Sequence, residues 1–188
     1  VKAALSQQPD MELCAIFTRR DPGSFDGDLP MVAMSAIEAW KDRLDVVILC
    51  GGSATDLPVQ GPEMAAHFCT VDSFDTHAKI PAYFASMEKA ASAAGTLSLI
   101  SAGWDPGLFS LNRLLGNAIL PQGSDYTFWG RGVSQGHSDA IRRVPGVKNA
   151  IQYTVPVPEA VEAVRSGDEP VLSTRQKHTR LCYVVAEE

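Results

Sequence analysis

Two adjacent arginines, Arg19 and Arg20, follow a short apolar run rich in strand-forming residues. A dinucleotide-binding fold that selects NAD has an acidic residue at this place, which binds the ribose hydroxyl. Two guanidinium groups can instead bind a 2′-phosphate through bidentate, charge-assisted hydrogen bonds. The pair therefore indicates an NADP site, and an ordinary solvated basic turn is the alternative interpretation.

Small and acidic residues follow three further apolar runs. They lie at 51–56 (GGSATD), 73–75 (SFD) and 103–107 (GWDPG). Glycines allow backbone amides to approach a phosphate or a nicotinamide ring closely. The carboxylates of Asp75 and Asp105 and the Trp104 indole then project from neighbouring strand ends toward one crevice, where a doubly wound sheet binds its ligands. The alternative role for Asp105 is a helix cap.

A Gly-rich polar loop at 129–139 (WGRGVSQGHSD) leads into a predicted helix at 140–143. His137 in this loop is a candidate general acid or base, although a single histidine at a helix start is more often structural. No His, Cys and Asp cluster has metal-ligand spacing, and no G-x-S-x-G motif is present. The sequence therefore predicts neither a metal site nor a serine hydrolase.

The elements that must position these residues alternate between strands and helices in the first part of the chain. Apolar runs at 11–18, 45–50, 69–72 and 97–101 predict strands, and helical spacing occurs around Ile37, Trp40 and Leu44, at 81–94 and at 109–120. This order predicts a doubly wound α/β domain with a parallel sheet covered on both faces. Beyond about residue 122, amphipathic runs at 126–129, 147–155 and 178–186 predict an α+β domain.

The bulk composition favours a small ligand as partner. The 188 residues carry a net charge of -6 with a pI near 5.2, which argues against nucleic acid and anionic membranes. No apolar stretch reaches the length of about 20 residues that spans a bilayer. The four cysteines, none in a C-x-x-C pair, all fall in apolar runs, so we expect buried, reduced thiols in a cytoplasmic protein.

Six segments in register carry a resemblance to a known family. They are QPDMELCAIFTRR, GGSATDLP, CTVDSFDTH, AGWDPGLFSLNR, FWGRGVSQGHSDAIRRVPGV and RLCYVVAE. In this order they resemble the meso-diaminopimelate dehydrogenases, and the likeness covers essentially all of the chain. It implies a Rossmann-type cofactor domain at 1–122 and the beginning of a substrate-binding and dimerisation domain at 123–188.

The resemblance implies NADP-dependent oxidative deamination of meso-2,6-diaminopimelate at its D-centre. The products are L-2-amino-6-oxopimelate, ammonia and NADPH, in the biosynthesis of diaminopimelate and lysine, and the enzyme is a cytoplasmic homodimer. By position, the 2′-phosphate is held by Thr18, Arg19 and Arg20. The cofactor is lined by Cys50, Gly51, Gly52, Ser53, Ala54, Ser73, Phe74, Asp75, Ala102, Gly103, Trp104, Asp105 and Pro106. The substrate is contacted by Asp75, Asp105, Trp129, Gln135, Gly136, Thr154 and Arg180.

Two of these residues have an expected catalytic role. Asp105, and second to it Asp75, assists proton transfer, and both are expected to face Thr154 and Arg180 across one cleft. Thr18 stands where the family usually has serine, which keeps the hydroxyl. No residue of a metal site is implied.

The family's Gly-rich first strand and turn, and its later substrate-domain residues, are missing from this sequence. We therefore expect a fragment that turns over no substrate alone. One alternative function is an inert binding or assembly fragment that keeps part of the nucleotide pocket. Another is a Rossmann dehydrogenase acting on a different amino acid or aldehyde.

Overall fold

A computed structural model describes residues 1–24 and 29–187, which form two compact units, Val1–Leu114 and Leu115–Glu188. The middle of the Pro- and Gly-rich segment between the first two strands, residues 25–28, lies outside the described residues. The predicted assignment of a cofactor domain and a substrate domain, with its boundary at 122, stays a prediction.

The first unit alternates short parallel strands with helices. Its strands are β1 (Ile16–Thr18), β2 (Met31–Ala33), β3 (Val47–Leu49), β4 (Thr70–Asp72) and β5 (Ser98–Leu99). Its helices are α1 (Lys2–Leu5), α2 (Leu57–Ala65), α3 (Ile80–Ala94) and the start of α4 (Leu108–Ile119), with 3₁₀ turns at Pro22–Ser24, Met34–Arg43 and His77–Lys79. The strands pair in parallel as a two-stranded sheet, β1-β2, and a three-stranded sheet, β3-β4-β5. The predicted α/β class with parallel strands is confirmed.

The core of this unit lies between the three-stranded sheet and the helices α2 and α3. Leu49, Leu57, Phe74, Tyr83 and Met87 are at most 5% exposed and form one apolar cluster. On β3 and β5, however, Ile48 and Leu99 remain 39% and 59% exposed. The described helices therefore leave part of one face of this sheet open, and the expected cover on both faces stays a prediction.

Local signals at its two ends explain the boundaries of α3. Pro81 lies in the first turn of the helix, where backbone N–H groups have no partner within the helix, so a proline loses no hydrogen bond there. Gly95 ends the helix with φ 69° in the left-handed region. The helix packs so closely against α2 at Gly61 that a Cβ there would overlap the hydroxyl of Tyr83 and come within 2.9 Å of the Met87 sulfur. Glycine is the residue that this approach of two helices allows.

Three local predictions for the first unit are wrong in extent or type. The spacing of Ile37, Trp40 and Leu44 predicts a helix, and Met34–Arg43 forms a 3₁₀ helix instead. Trp40 in this 3₁₀ helix packs edge to face on Phe17 of β1, with ring centroids 5.6 Å apart. The first strand begins at Ile16, not at residue 11, and β2 was not predicted because only three residues pair.

The second unit is an antiparallel sheet with helices. It comprises β6 (Gly132–Val133), α5 (Gln135–Arg142), β7 (Val147–Pro156), α6 (Pro158–Arg165), α7 (Thr174–Lys177) and β8 (His178–Ala186), and it contains the end of α4. The strand order is β6-β7-β8. The two long strands match their predicted runs, and the helix predicted at 140–143 begins earlier, at Gln135. The predicted strand at 126–129 is wrong, because no ladder forms there.

The four cysteines are free thiols, but none of them is buried. Cys14 and Cys69 are half-buried, and Cys50 and Cys182 are exposed. The expectation of burial is wrong because these residues lie beside or on strands with one open face. Among the described residues, no helix is long and apolar enough to span a membrane.

Replacing Tyr83 with phenylalanine should lower the free energy of unfolding by about 1.5–3 kcal/mol, because its hydroxyl donates to a buried carboxylate. The bond to the Asp72 Oδ2 measures 2.7 Å. Urea unfolding measures this loss. The control, Tyr183→Phe, changes a ring that is 57% exposed and should stay within about 0.5 kcal/mol of the parent. Equal losses in both variants would contradict the role given to this bond.

Candidate functional site

Asp72, at the end of β4, connects the turns that follow two strands of the first unit. It is 2% exposed, and its Oδ1 accepts hydrogen bonds from the backbone N–H groups of Phe74 (2.9 Å) and Ser101 (3.0 Å). Its Oδ2 accepts from the Tyr83 hydroxyl on α3, and its carbonyl accepts from the Ala102 N–H at 2.8 Å. Asp72 therefore fixes the turns after β4 and β5 relative to each other.

Two features show how closely these turns are held. Burial, and next the hydrogen bond to Asp72, raise the pKa of Tyr83, so this hydroxyl keeps its proton as a donor. Ser101 adopts φ 57° in the left-handed region, which is unfavourable for a residue with a side chain. The Ser101 Oγ is buried, and no described residue is its hydrogen-bond partner. The turn after β5 therefore has a strained backbone at Ser101, whose N–H donates to Asp72.

The turns after β1, β3 and β4 are also joined, by polar contacts at the carboxyl ends of the strands. The Arg19 Nη2 lies 2.8 Å from the Asp56 Oδ1, and the Gly52 N–H donates to the Asp56 Oδ2 at 2.9 Å. The Asp75 N–H donates to the Ser53 Oγ at 3.0 Å. The hydrogen bond from Gly52, and next Arg19, lower the pKa of Asp56, so this carboxyl is charged at neutral pH.

The predicted cofactor residues of the first unit therefore gather along one connected edge. Thr18 accepts the Arg20 N–H at 3.1 Å, and Arg19 and Arg20 are both exposed. Beside Arg19 a cavity of about 300 Å³ opens between the end of β1 and α2. It is lined by Arg19, Met34, Thr55, Asp56, Val59, Gln60, Glu63 and Met64. Phe74 is 1% exposed and stacks on Tyr83, so its backbone is the part that remains for the predicted contact with a cofactor.

The turn after β5 is compact and carries a carboxylate. Gly107 has φ 134°, and a Cβ there would overlap the backbone of Gly103, so position 107 requires glycine. The Gly103 N–H donates to the Pro106 carbonyl at 3.2 Å, and the Asp105–Pro106 peptide bond is cis. Trp104 is 63% exposed and packs against Phe109.

Arg113 on α4 binds the carboxylate of Asp105. The Nη2 donates to the Oδ1 at 2.6 Å and the Nη1 to the Oδ2 at 3.4 Å, so the pair is bidentate. The sequence predicts a catalytic carboxylate or a helix cap at Asp105, and it did not predict this arginine as its partner. An Arg two turns into the following helix is the signal that identifies such a pair. Asp75, the other predicted catalytic carboxylate, is exposed.

In the second unit, two predicted substrate residues are direct neighbours across the sheet. Thr154 on β7 pairs in register with Arg180 on β8, and on its other side with Gly132 on β6. Paired residues project to the same face of a sheet, with Cβ atoms about 4.5–5.5 Å apart. Thr154 is half-buried and Arg180 is exposed. A hydroxyl and a guanidinium are therefore presented together on one face.

The start of α5 carries the predicted residues Gln135 and Gly136, both exposed. Ser138, which is 0% exposed, attaches this helix to β7: its Oγ donates to the Ser134 carbonyl (2.6 Å) and accepts the Gln152 N–H (2.9 Å). The Ser134 N–H donates to the Gln152 carbonyl. Gln135 and Gly136 are thus held at a fixed distance from the strand that carries Thr154.

The chain is similar in sequence to known diaminopimelate dehydrogenases. The model of the diaminopimelic acid dehydrogenase C-terminal domain matches residues 103–188. The meso-diaminopimelate D-dehydrogenase of Ureibacillus thermosphaericus is 61% identical over 190 residues, which cover 100% of this chain and 58% of that protein. Over its whole length the chain is homologous to meso-diaminopimelate D-dehydrogenases. It spans about 58% of the length of such relatives.

Solved structures of two dehydrogenases share the fold. One is the Corynebacterium glutamicum DAP dehydrogenase in complex with DAP, with a TM-score of 0.92 and 46% identity, covering 99% of this chain and 57% of that one. The other is an engineered D-amino acid dehydrogenase bound to NADP⁺, with a TM-score of 0.89 and 44% identity, covering 99% and 58%. The family resemblance seen in the six sequence segments is confirmed.

The remaining family position, Trp129, lies in an irregular segment of the second unit. Trp129 is 39% exposed, and its backbone N–H donates to the His178 Nε2 at 2.8 Å. His137 contacts the Ser134 Oγ through its Nδ1 at 2.6 Å, which supports the structural interpretation of this histidine at a helix start. Within residues 1–24 and 29–187, no three His, Cys, Asp or Glu side chains form a group that could hold a metal ion.

His178 was not predicted as a site residue, and it should make the second unit sensitive to pH. Burial, and next the neighbouring Lys177, lower its pKa from the usual 6.5. Only an unprotonated Nε2 can accept the Trp129 N–H. The stabilisation is therefore fully present above pH 6.5 and is lost as the pH falls through the lowered pKa.

We expect the His178→Gln variant to show a flatter pH dependence of unfolding than the parent. Urea unfolding is measured between about pH 5 and pH 8, where histidine changes charge. The control is His77→Gln, at an exposed histidine of the first unit, and it should keep the parent's profile. A parental profile in the His178 variant would contradict the assignment.

Proposed function

We propose that the whole protein to which these residues belong is an NADP-dependent meso-2,6-diaminopimelate dehydrogenase. It deaminates the D-centre reversibly to L-2-amino-6-oxopimelate and ammonia, as a step in lysine biosynthesis. The similarity of the whole chain to dehydrogenases of this name carries the proposal. It is supported by the structures of relatives bound to DAP and to NADP⁺. We further propose that the protein is a homodimer and is cytoplasmic.

The residues of the first unit fit an NADP molecule. The cavity beside Arg19 can receive part of the nucleotide, and Arg19 lines it as a donor for a 2′-phosphate, with Thr18 and Arg20 next to it in the chain. The buried Ser101 Oγ, which has no described partner, supplies a polar atom beside the turn of Gly103 and Trp104. Backbone at Cys50–Ala54, Ser73–Asp75 and Ala102–Pro106 would line the rest. When bound, NADP accepts the hydride from the substrate carbon.

The sheet order of the first unit supports a doubly wound fold. In a Rossmann sheet, the third and second strands lie on one side of the first strand, and the fourth, fifth and sixth strands on the other side. Here β1-β2 and β3-β4-β5 are two separate parallel sheets. We interpret β1 and β2 as the second and third strands of such a sheet, and β3, β4 and β5 as its fourth, fifth and sixth strands. The first strand of a Rossmann sheet would then lie between β1 and β3.

The substrate has an ammonium and a carboxylate at each end, and the predicted residues supply both kinds of partner. We assign the ammonium of the D-centre to the carboxylates of Asp75 and Asp105. Arg180 can bind the carboxylate of the L-centre through two parallel hydrogen bonds, and Thr154 beside it adds a hydroxyl. Gln135 and Gly136 offer backbone donors for the other carboxylate, and Trp129 packs on the methylene chain and excludes water.

Asp105 is the carboxylate that we assign to proton transfer, with Asp75 second. After hydride loss, a water must add to the substrate carbon and ammonia must leave, and each event moves a proton at nitrogen or oxygen. Arg113 holds both Asp105 oxygens, and each oxygen keeps a further lone pair for the substrate or water. Arg113 is therefore a positioning residue, which fixes the direction in which Asp105 accepts a proton.

The assay of this proposal uses a chimera. Residues 1–188 replace the matching 190 residues of the Ureibacillus thermosphaericus relative, which supplies the rest of its length. Diaminopimelate-dependent NADPH formation by the chimera, followed at the absorbance of the reduced nicotinamide, supports the proposed function. The isolated 188-residue chain is measured in parallel for the alternative of an inert binding segment. A chimera that binds NADP and forms no NADPH with diaminopimelate would contradict the enzyme proposal.

Replacing Arg19 with alanine in the chimera should weaken NADP binding by roughly ten- to a hundredfold, because a charge-assisted hydrogen bond to the 2′-phosphate is lost. NAD binding should barely change, since NAD lacks this phosphate. Calorimetric titration with both nucleotides measures the two dissociation constants. If both nucleotides weaken equally, Arg19 does not bind the 2′-phosphate.

Substitutions at the two ends of the substrate should give different kinetics. Asp105→Asn should lower kcat and kcat/KM by about 10²–10⁴-fold, because a general acid–base group is lost. Arg180→Ala should chiefly raise KM for diaminopimelate, because it removes a binding contact present before and during the reaction. Steady-state kinetics of the chimera separate these effects. Near-normal kinetics in both variants would exclude these residues from the active site.

A further inference from the structure

The guanidinium that we assign to the 2′-phosphate already has an anionic partner in this structure. The Asp56 Oδ1 lies 2.8 Å from the Arg19 Nη2, and both residues line the cavity of about 300 Å³ beside β1. A 2′-phosphate bound by Arg19 would place its oxygens close to this carboxylate. Like charges at such a distance disfavour each other.

The carboxylate is the fixed member of the pair, and the guanidinium is the adjustable one. Asp56 is 23% exposed at its side chain, and its Oδ2 accepts the Gly52 N–H at 2.9 Å. The Asp56 N–H in turn donates to the Gly52 carbonyl at 2.9 Å, so a two-way link holds it in the turn after β3. Arg19 is 67% exposed at its side chain. A phosphate can therefore draw Arg19 away, but it cannot easily displace Asp56.

A hydroxyl and a phosphate differ in what they gain from this pair. A ribose 2′-hydroxyl can donate to a carboxylate, which is how acidic residues select NAD in dinucleotide folds. A 2′-phosphate accepts hydrogen bonds from Arg19 and is repelled by Asp56. We infer that Asp56 is a specificity-determining residue that competes with the 2′-phosphate for Arg19 and so limits the preference for NADP. This inference rests on the proposed function.

The test compares four chimeras: the parent, Asp56→Asn, Arg19→Ala and the double variant. Asparagine keeps an oxygen for the Gly52 N–H and removes the charge. The ligands are NADP, NAD and adenosine 2′,5′-bisphosphate, each titrated by calorimetry. Asp56→Asn should tighten NADP and the bisphosphate about two- to fivefold, the range of an exposed ion pair, and leave NAD unchanged or weaker. In the Arg19→Ala background, the Asp56→Asn gain should disappear.

Glu88 provides the control, because it is exposed on α3, does not line this cavity and forms no ion pair among the described residues. Glu88→Gln makes the same change of charge and should leave NADP binding unchanged. If Asp56→Asn is less stable to heat than the parent, Asp56→Ser takes its place, because serine also keeps an acceptor for the Gly52 N–H.

Three results would overturn the inference: an unchanged or weaker NADP affinity in Asp56→Asn, the same gain without Arg19, or the same gain in Glu88→Gln. The last two would indicate a general field of negative charge in place of competition for Arg19. Failure of the proposed function gives a different result, in which Arg19→Ala does not distinguish NADP from NAD.

Discussion

The buried carboxylate of Asp72 is the interaction on which the edge of the first unit depends. One side chain accepts hydrogen bonds from the turn after β4, from the turn after β5 and from α3. Taking a carboxylate out of water is unfavourable unless donors surround it, and here three donors do so. The same bonds hold Asp75, Gly103 and Asp105 in neighbouring turns. Stability and site geometry therefore depend on one residue that has no expected contact with a ligand.

Charged pairs complete the edge in a different manner. Arg19 with Asp56, and Arg113 with Asp105, each join the end of a strand to another element. Exposed ion pairs contribute little to folding, so their value lies in orientation. In both pairs one partner is assigned to the ligand and the other limits where it points. The second unit reaches a similar result with neutral groups, because Ser138 fixes the start of α5 on β7.

The sequence predicted those elements whose signals are local. Pro81 and Gly95 mark the ends of α3, and the long amphipathic runs of β7 and β8 gave those strands nearly at their observed bounds. Parallel pairing also followed from the alternation of strands and helices. The sequence did not predict strand β2, because three residues carry too little pattern. It wrongly predicted a strand at 126–129, because aromatic residues also occur in loops.

Places after predicted strands indicated Arg19, Arg20, Asp75 and Asp105, and family positions supplied the other candidate site residues. Neither signal indicated the residues that hold them. Asp72 appears in the sequence as the end of an apolar run, and Arg113 as one basic residue of a helix. His178 opens a strand, and its bond to the Trp129 backbone joins residues that are far apart in sequence. Such contacts depend on how elements pack, which periodicity does not specify. Phe74 shows the converse: its place in a family motif gave no sign that its ring belongs to the core.

The glycine at 61 connects helix packing to the site by mechanical means. A methyl group there would push on the Tyr83 hydroxyl, and that hydroxyl is bonded to Asp72. Any shift of the tyrosine would pass through the carboxylate to both turns, since closely packed interiors transmit displacement. A substitution at this position between two helices should therefore disturb the turns after β4 and β5. Tolerance to substitution in this unit should follow the hydrogen-bonded chain to Asp72 more closely than distance from the proposed nucleotide site.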